Sequence, residues 1–483
     1  MLSNSRRKFI KTTSLATFGG APFIANTKSS GKVIGANDRM RIAVAGLNGR
    51  GKSHIGGFLG QKNVEIPYVI DPDKQVLSRT VQSLKGRGQP VKGVVDIRKA
   101  LDDKNVDAIA IAAPNHWHSL MTIWGAQAGK HVYVEKPMSH DVEEGRVAVA
   151  AQKKYGVVIQ HGTQQRSSAG RAGLHDQIKA GKWGRLKISY GYCCKPRGSI
   201  GHKKIGDAPA HLDWDLWKGP AVIEKFHGNY VHYNWHWFWA TGNGDLNNQG
   251  THELDVARWA IDDDQTHPVK AMAIGGRFQW KDQGETPNTL FGMAEYPNGQ
   301  QVFFNVRNVN YNGYKRQVEN QYYFEDGGKI IGNQYYAKGS DKGEKIDFGN
   351  GKVTPGGNWG SFVAACRAGD PSMANGNVND AHYGCVLGHL MNNSYRLGEE
   401  VPFNLKAGRF GDNKDAAEHF GKLHDVMGKG VGIPEKDNYY TVGPWLQFDP
   451  EKETHIGDHA KDANQLLKDP NNMGFEVPSV DKV

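Results

Sequence analysis

The spacing of apolar and polar positions changes character once along the chain, near residue 160. Before that point, short apolar runs alternate with amphipathic stretches. The runs 40-MRIAVAG-46, 64-VEIPYVID-71, 106-VDAIAIAAP-114, 131-HVYVEKP-137 and 157-VVIQHGT-163 are bounded by Gly, Pro and polar residues and read as buried strands. Between them SHIGGFLG, NHWHSLMTIWGAQAGK and DVEEGRVAVAAQKKYG read as helices. The last has acids in its first turn and lysines in its last, as the helix dipole favours. Such alternation predicts a parallel sheet that takes ligands at the C-terminal ends of its strands. Beyond 160 the segments KISYGYCC, AMAIGGRFQW, TLFGMAEYP, QVFFNVRNV and NQYYFEDGGKIIG follow one another as strands, joined by turns such as 297-PNGQ-300. They predict a mostly antiparallel open sheet packed against a few helices, one over 379–396 and one starting near Gln249.

The first strand runs into glycines, 40-MRIAVAGLNGRG-51, and the second ends in an acid, Asp71. Strand, Gly-rich turn, helix, strand and acid is the order of a dinucleotide-binding unit. Gly46 permits the tight turn and Gly51 allows close helix–strand packing. Backbone N–H groups around Asn48, Gly49 and Arg50 suit a pyrophosphate at a helix N-terminus. Asp71, 25 residues after Gly46, stands where a carboxylate meets ribose hydroxyls. It argues for NAD over NADP by repelling a 2′-phosphate, whereas Arg50 could approach one. The fingerprint is imperfect, since Asn48 holds the place of the middle glycine.

AAPNHWHSL followed by AGKHVYVEKPMS resembles the signature segments of the Gfo/Idh/MocA oxidoreductases, mostly sugar-handling NAD(P) enzymes. The segments 162-GTQQRSS, 213-DWDLWKGPA, 249-QGTHELDVARW and 382-HYGCVLGHLMNNSYRLG agree with it, so the resemblance spans about 38–405. It implies an α/β fold: a Rossmann dinucleotide-binding domain over 38–160, then a substrate-binding and oligomerisation α/β domain over 161–405 with a mostly antiparallel open sheet. Residues 406–483 are an extension able to wrap the body or a neighbouring subunit. It also implies an NAD(P) cofactor held by the Gly-rich turn together with Pro114, Asn115, His118, Glu135 and Gln164, and a homodimer or homotetramer.

Lys136, at a strand end, is a solvated charge or a functional amine. The resemblance makes it the group that touches both cofactor and the reacting hydroxyl, stabilising developing alkoxide as hydride leaves the same carbon. His252 opens an H-E-x-x-D string, one residue type from the zinc-hydrolase helix motif. No Cys or His completes a zinc set by recognisable spacing, so no metal is expected. A packed histidine is the bland reading; beside Lys136, His252 reads as the general base, titrating near working pH. On a helix it shares a face with Asp255 and Trp259, which makes Asp255 an orienting or substrate-binding neighbour. Asn248 stands where many dehydrogenases of the family have Asp. It can hold a substrate hydroxyl but cannot take a proton, and Asp245 nearby could compensate. In 233-YNWHWFWATGNGD-245, an extended backbone would put Trp235 and Trp237 on one side as a platform for sugar C–H faces; an aromatic core segment is the alternative. Arg166 could meet cofactor or substrate.

Composition narrows the partners. The 483 residues carry 38% apolar and 23% charged residues, ordinary for a globular chain with a large core. No apolar run approaches the roughly 18 residues that span a bilayer. Residues 1–30 contain Arg6, Arg7, Lys8, Lys11 and Lys28 and no acid. SRRKFIK followed by TTSLATFGGAPFIA resembles a twin-arginine export signal, with residues 1–36 as signal and linker and Ala25 or Ala36 as possible ends. Without those five cations the formal charge of +10 is halved, and no basic run carries interleaved aromatics, so nucleic acid is not an expected partner. Four cysteines make no disulfide framework, although a Cys366–Cys385 bridge is open after export.

Twin-arginine export moves folded proteins, while NAD(P) is held in the cytosol. The expected protein is therefore a periplasmic or exported oxidoreductase with tightly bound cofactor, oxidising a ring hydroxyl (C3) of a sugar or glycoside. Two alternatives stay open: an NAD-dependent glycoside hydrolase working through transient oxidation, elimination, water addition and re-reduction, and a non-catalytic sugar-binding protein.

Overall fold

The computed structural model describes residues 39–483; the segment expected to be a twin-arginine signal lies outside them. The first half forms a seven-stranded, wholly parallel sheet. Its strands are β1 (Met40–Ala45), β2 (Val64–Glu65), β3 (Tyr68–Ile70), β4 (Lys92–Val94), β5 (Ala108–Ile111), β6 (His131–Val134) and β7 (Ile159–His161), in the order β4-β3-β1-β5-β6-β7 with β2 beside β1. The run 64–71, expected as one strand, is broken between Glu65 and Tyr68. Pro67 lies in the gap and has no N–H to give the ladder. Crossover helices Gly51–Leu59, Lys74–Gly86, Asn115–Gln127 and Val142–Tyr155 cover both faces. Asp73 caps the second of these by accepting from Gln75 and Val76 N–H, and Asp141 caps the last by accepting from Glu144 N–H. The order reverses at β1, so a crevice opens between the C-terminal ends of β1 and β5, the position predicted for ligands.

The second half is a twelve-stranded sheet built around β8 (Leu186–Cys194). β8 pairs parallel with Gln301–Arg307 and antiparallel with Gln317–Phe324; every other pair in the sheet is antiparallel. One face packs on the helices Thr251–Trp259 and Val378–Arg396 through Leu254, Ala257, Phe304, Leu387 and Leu390. Full burial of each such side chain stabilises by about 1.5–3 kcal/mol.

The segment after 405 is part of this sheet. Tyr439–Val442 and Leu446–Asp449 pair with Lys270–Gly276, and Thr454–Ile456 extends the edge. Its helix Lys414–Asp425 lays Ala416, Phe420 and Leu423 over Ile274, Phe291 and Phe303 on the other sheet face. The chain's own extension thus covers part of that sheet face. All four cysteines are buried and free, and Cys366 and Cys385 belong to different cores. The Cys366–Cys385 bridge that the sequence left open is therefore not formed.

Candidate active site

The crevice is a cavity of about 350 Å³ that brings together Gly46, Asn48, Gly49, Arg50, Asp71, Pro114, Asn115, His118, Glu135, Lys136, Gln164, Trp235, Asn248 and His252. Most of the residues singled out in the sequence therefore meet at one site. Trp237, Arg166 and Asp255 do not line it, and Gly51 lies just beneath.

The cofactor end is built from the β1 turn. Gly46 has φ +83°, and a Cβ there would lie 2.4 Å from the Ala112 carbonyl oxygen. A Cβ on Gly51 would lie 1.9 Å from the Gly46 oxygen. Both positions need glycine if β1, the turn and the following helix are to pack this closely. A Cβ on Gly49 would meet nothing within 4 Å. Among the described residues none accepts from the N–H groups of Asn48, Gly49 and Arg50. A phosphate fits against such unpaired donors at a helix N-terminus. Asp71 accepts from Leu47 N–H (2.8 Å) and Asp73 N–H (2.9 Å), one on each oxygen, which leaves lone pairs for ribose hydroxyls. Burial pushes its pKa up, and those two donors pull it back. Asn115 Oδ1 is buried with no partner, an acceptor left for a donor in the cavity. The residues present fit a dinucleotide.

Arg50 does not point toward Asp71. Its Nε donates to Glu135 Oε1 at 2.7 Å and its guanidinium lies 5.8 Å over Trp359. Trp359 Nε1 donates to His54 Nδ1, which leaves Nε2 to carry the proton 3.4 Å from the same Glu135 oxygen. Gln164 Nε2 stands 3.4 Å away as a third donor. Burial works against ionising Glu135, yet His54, Arg50 and Lys136 hold it well below the usual carboxylate range. Glu135 is thus a fixed anion under Lys136. His118 braces the same loop, with ring nitrogens 2.5 Å from the Pro137 oxygen and 2.7 Å from the Ala113 oxygen.

Lys136 follows β6 and donates from Nζ to the backbone oxygen of Asn248. Burial lowers its pKa, while Glu135 and Asp245 act to raise it. The Asn248 side chain donates to Asp245 Oδ1 at 3.0 Å. Asn248 thus acts here through its carbonyl, as a support for Lys136. Asp245 cannot stand in for a missing acid. It is fully buried and takes Nε and Nη2 of Arg197 at 2.8 Å each, plus Asn308 Nδ2 at 2.8 Å. Burial opposes its charge, but Arg197 holds it well below the usual range.

His252 faces the cavity from the first turn of its helix. Burial, then the Lys136 cation, push its pKa down to about 3. The expectation of a histidine titrating near neutrality is corrected: the imidazole is neutral and an acceptor across the physiological range. Asp255 points to the other side, where it takes Nε and Nη2 of Arg166 at 3.0 Å; Arg166 also reaches Asp380 at 2.9 Å and stacks 4.6 Å from Trp259. The pair is buried away from the cavity, so neither residue has the substrate role expected of it. The Arg166 that Asp255 meets comes from the neighbouring 3₁₀ turn, Gln164–Ser167. The aromatic segment is corrected too. Asn234–Trp237 is a 3₁₀ turn; at three residues per turn, positions two apart diverge. Trp235 lines the cavity, while Trp237 is buried under Arg277, 4.8 Å away.

Tyr233, expected on the aromatic platform, lines the cavity beside Trp235; Lys195, Gln249, His232 and Trp217 also line it and were not singled out. Lys195 directly follows β8, and a polar residue just past a buried strand was the available signal. Among the described residues, His267, His382 and Glu453 cluster elsewhere, with Arg146 Nε 3.2 Å from Glu453.

Residues 40–163 match the description "Oxidoreductase family, NAD-binding Rossmann fold" (GFO_IDH_MocA), and 197–424 its "C-terminal alpha/beta domain". A "Glycosyl hydrolase family 109 protein" of Shewanella baltica is 31% identical over 159 residues, 29% of this chain and 35% of that protein. An "Alpha-N-acetylgalactosaminidase" of Shewanella oneidensis is 30% identical over the same shares. The chain spans about a third of the length of the curated relatives it matches. Among solved structures, levoglucosan dehydrogenase with NADH and levoglucosan aligns at TM-score 0.54 and 16% identity, over 73% of this chain and 96% of that one. The WlbA dehydrogenase of Bordetella pertussis with NADH and UDP-GlcNAcA aligns at 0.54 and 18%, over 74% and 97%. These two likenesses concern the fold. With both halves matched to the two domains of one family, and a crevice whose residues fit its cofactor, the chain belongs to the Gfo/Idh/MocA family of NAD(P)-dependent oxidoreductases.

Proposed function

We propose that this protein is exported by the twin-arginine pathway with NAD(H) held tightly inside it, and that it oxidises the C3 hydroxyl of a sugar or glycoside. The observation that carries the reading is the convergence of Lys136 and His252 on a cavity whose other end is the glycine turn. Bound NAD would supply the hydride acceptor, and a second sugar or other acceptor would take the hydride back, regenerating the cofactor in place. Lys136, fixed by the Asn248 carbonyl, keeps N–H donors for the reacting oxygen and stabilises its developing negative charge. His252, neutral and unencumbered by an orienting carboxylate, accepts the hydroxyl proton. In the free site the Lys136 cation depresses His252; an alkoxide lying between them offsets that charge and makes the imidazole a better base as the reaction proceeds. NAD is favoured over NADP because Asp71 puts a carboxylate on the cavity wall, where it would repel a 2′-phosphate, and Arg50 is committed to Glu135.

A second reading has a specific observation behind it: the names of the relatives that match over 159 residues. In it the same oxidation is transient. The ketone acidifies the neighbouring C–H, the aglycone leaves, water adds, and the hydride returns.

Denaturing the purified protein and identifying the released nucleotide tests tight binding. NAD released at near one equivalent per chain is the expected result; an empty protein that turns over only with added cofactor refutes it. Incubation with glycosides then separates the two chemistries. A 3-keto sugar is the product of the first, and a free, unoxidised sugar the product of the second.

A further inference from the structure

The charges around the substrate end of the cavity do not balance. Two nearby carboxylates are already neutralised: Glu135 by Arg50 at 2.7 Å, and Asp245 by the paired nitrogens of Arg197 at 2.8 Å. The remaining acid, Glu253, is buried with Oε2 unpartnered, an environment suited to a neutral carboxylic acid. Burial pushes its pKa up to about 8. Lys136 and Lys195 are left as cations on the cavity wall.

Lys136 is used by the chemistry, whereas Lys195 is not. Its position is nevertheless built. Its backbone oxygen accepts from Asn308 Nδ2 at 3.1 Å, and the next turn is tied by Arg197 N–H to the Asn308 oxygen at 2.7 Å. Its ammonium donates to Gln249 Oε1 at 2.6 Å, and Gln249 in turn hydrogen-bonds Glu253. Gln249 is three residues before His252, so this chain holds the ammonium beside the reacting centre. Among the described residues no carboxylate pairs with it. A lysine that only filled space would snorkel to bulk water. This one is half-buried, oriented by a neutral amide, and has two donors left.

We propose that Lys195 is the specificity-determining residue for a substrate that carries a compact anion on its sugar ring, a carboxylate or a sulfate ester. The proposal rests on the sugar-oxidising reading above and names the class of sugar. A charge-assisted hydrogen bond from Lys195 to that anion is stronger than one to a neutral hydroxyl, and it is worth more where water is thinned out.

The test compares methyl glucoside, methyl glucuronide and methyl glucoside 6-sulfate, which share the same C3 hydroxyl, on the NAD-loaded full chain. Reaction is read as the second-order rate constant for single-turnover reduction of the bound NAD by each sugar. Binding is read separately, by tryptophan fluorescence, on enzyme reduced beforehand so that it can accept no second hydride. At least one anionic sugar is expected to exceed the glucoside by about 10- to 100-fold in both readouts; which one does so names the anion. Lys195→Gln is expected to collapse that ratio, and Lys195→Arg to retain most of it. A ratio near one in the wild type, or one that Lys195→Gln leaves intact, overturns the proposal. Anion-selective binding lost in Lys195→Gln, with no turnover of any of the three, keeps the anion site and sinks the oxidation reading instead.

Discussion

Lys136 and His252 are the smallest unit at which the function can be tested. Replacing Lys136 with Met removes the charge that meets the developing alkoxide, and kcat/KM should fall by roughly 10³-fold or more, read as sugar-dependent NADH formation. Unchanged ligand processing in Lys136→Ala would favour the non-catalytic reading. The acid side of the pH profile is also set at this scale. His252 is active when neutral, and its pKa lies near 3. The rate should show no histidine-type fall through about pH 6.5; a clear inflection there would show that His252 is not held down in the working enzyme. Glu253 gives a stability counterpart. Its folded value of about 8 lies above the ordinary 4.5, so its stabilising contribution is complete below about pH 4.5 and is lost as pH rises through 8, on the order of several kcal/mol. Glu253→Gln should therefore melt above the wild type at about pH 9, and the gap should close near pH 5.

At the level of elements, the buried pair Arg166–Asp255 ties the Gln164–Ser167 turn to the helix that carries His252, and Asp380 adds the helix Val378–Arg396. Arg166→Met leaves Asp255 buried without its cation and should cost about 3–5 kcal/mol in denaturant unfolding. Replacing both partners with apolar residues should recover much of that. This scale also shows what the sequence carries and what it hides. Strands and helices were legible because burial on one or both faces imposes a period, and β1 with its glycines was legible because the turn tolerates no Cβ. Lys136 was legible only through the resemblance carried by the strand-end E-K-P, because a lysine at a strand end reads equally as a solvated charge. Trp237 was misplaced because alternation was assumed where the backbone turns with three residues per turn. Arg166 and Asp255 were misassigned because charge type says nothing about which way a helix face looks. Lys195 and Gln249 were missed because the tertiary fold, and not the spacing, brings β8 and the His252 helix to one cavity.

The whole molecule is closed by its last residues. Asn472 Nδ2 donates to the carbonyls of Gly219 (2.8 Å) and Ala221 (2.6 Å), and Phe475 packs edge-on to Trp117 at 5.5 Å. Trp117 and its neighbour Trp217 line the cavity. Double replacement, Asn472→Ala with Phe475→Ala, should loosen that wall and raise the rate at which bound nucleotide is lost to dialysis or to a scavenging dehydrogenase, in a protein that still folds. Ending the chain at residue 405 is a harsher change. It strips the strands Tyr439–Val442 and Leu446–Asp449 from the sheet and uncovers Phe291 and Phe303, and the expected outcome is insoluble protein on expression.

The Asn472 contacts also set an order of events during synthesis. Asn472 leaves the ribosome 253 residues after the Gly219 that it braces. The glycine turn and its parallel sheet are complete long before, and contacts this far apart in the chain form late in folding. A nascent chain can therefore shape its nucleotide cradle early, but it cannot shut the wall over it until translation is nearly finished. On the function proposed above, retained nucleotide would mark a finished chain, and a twin-arginine translocase that accepts only folded cargo would select the loaded form.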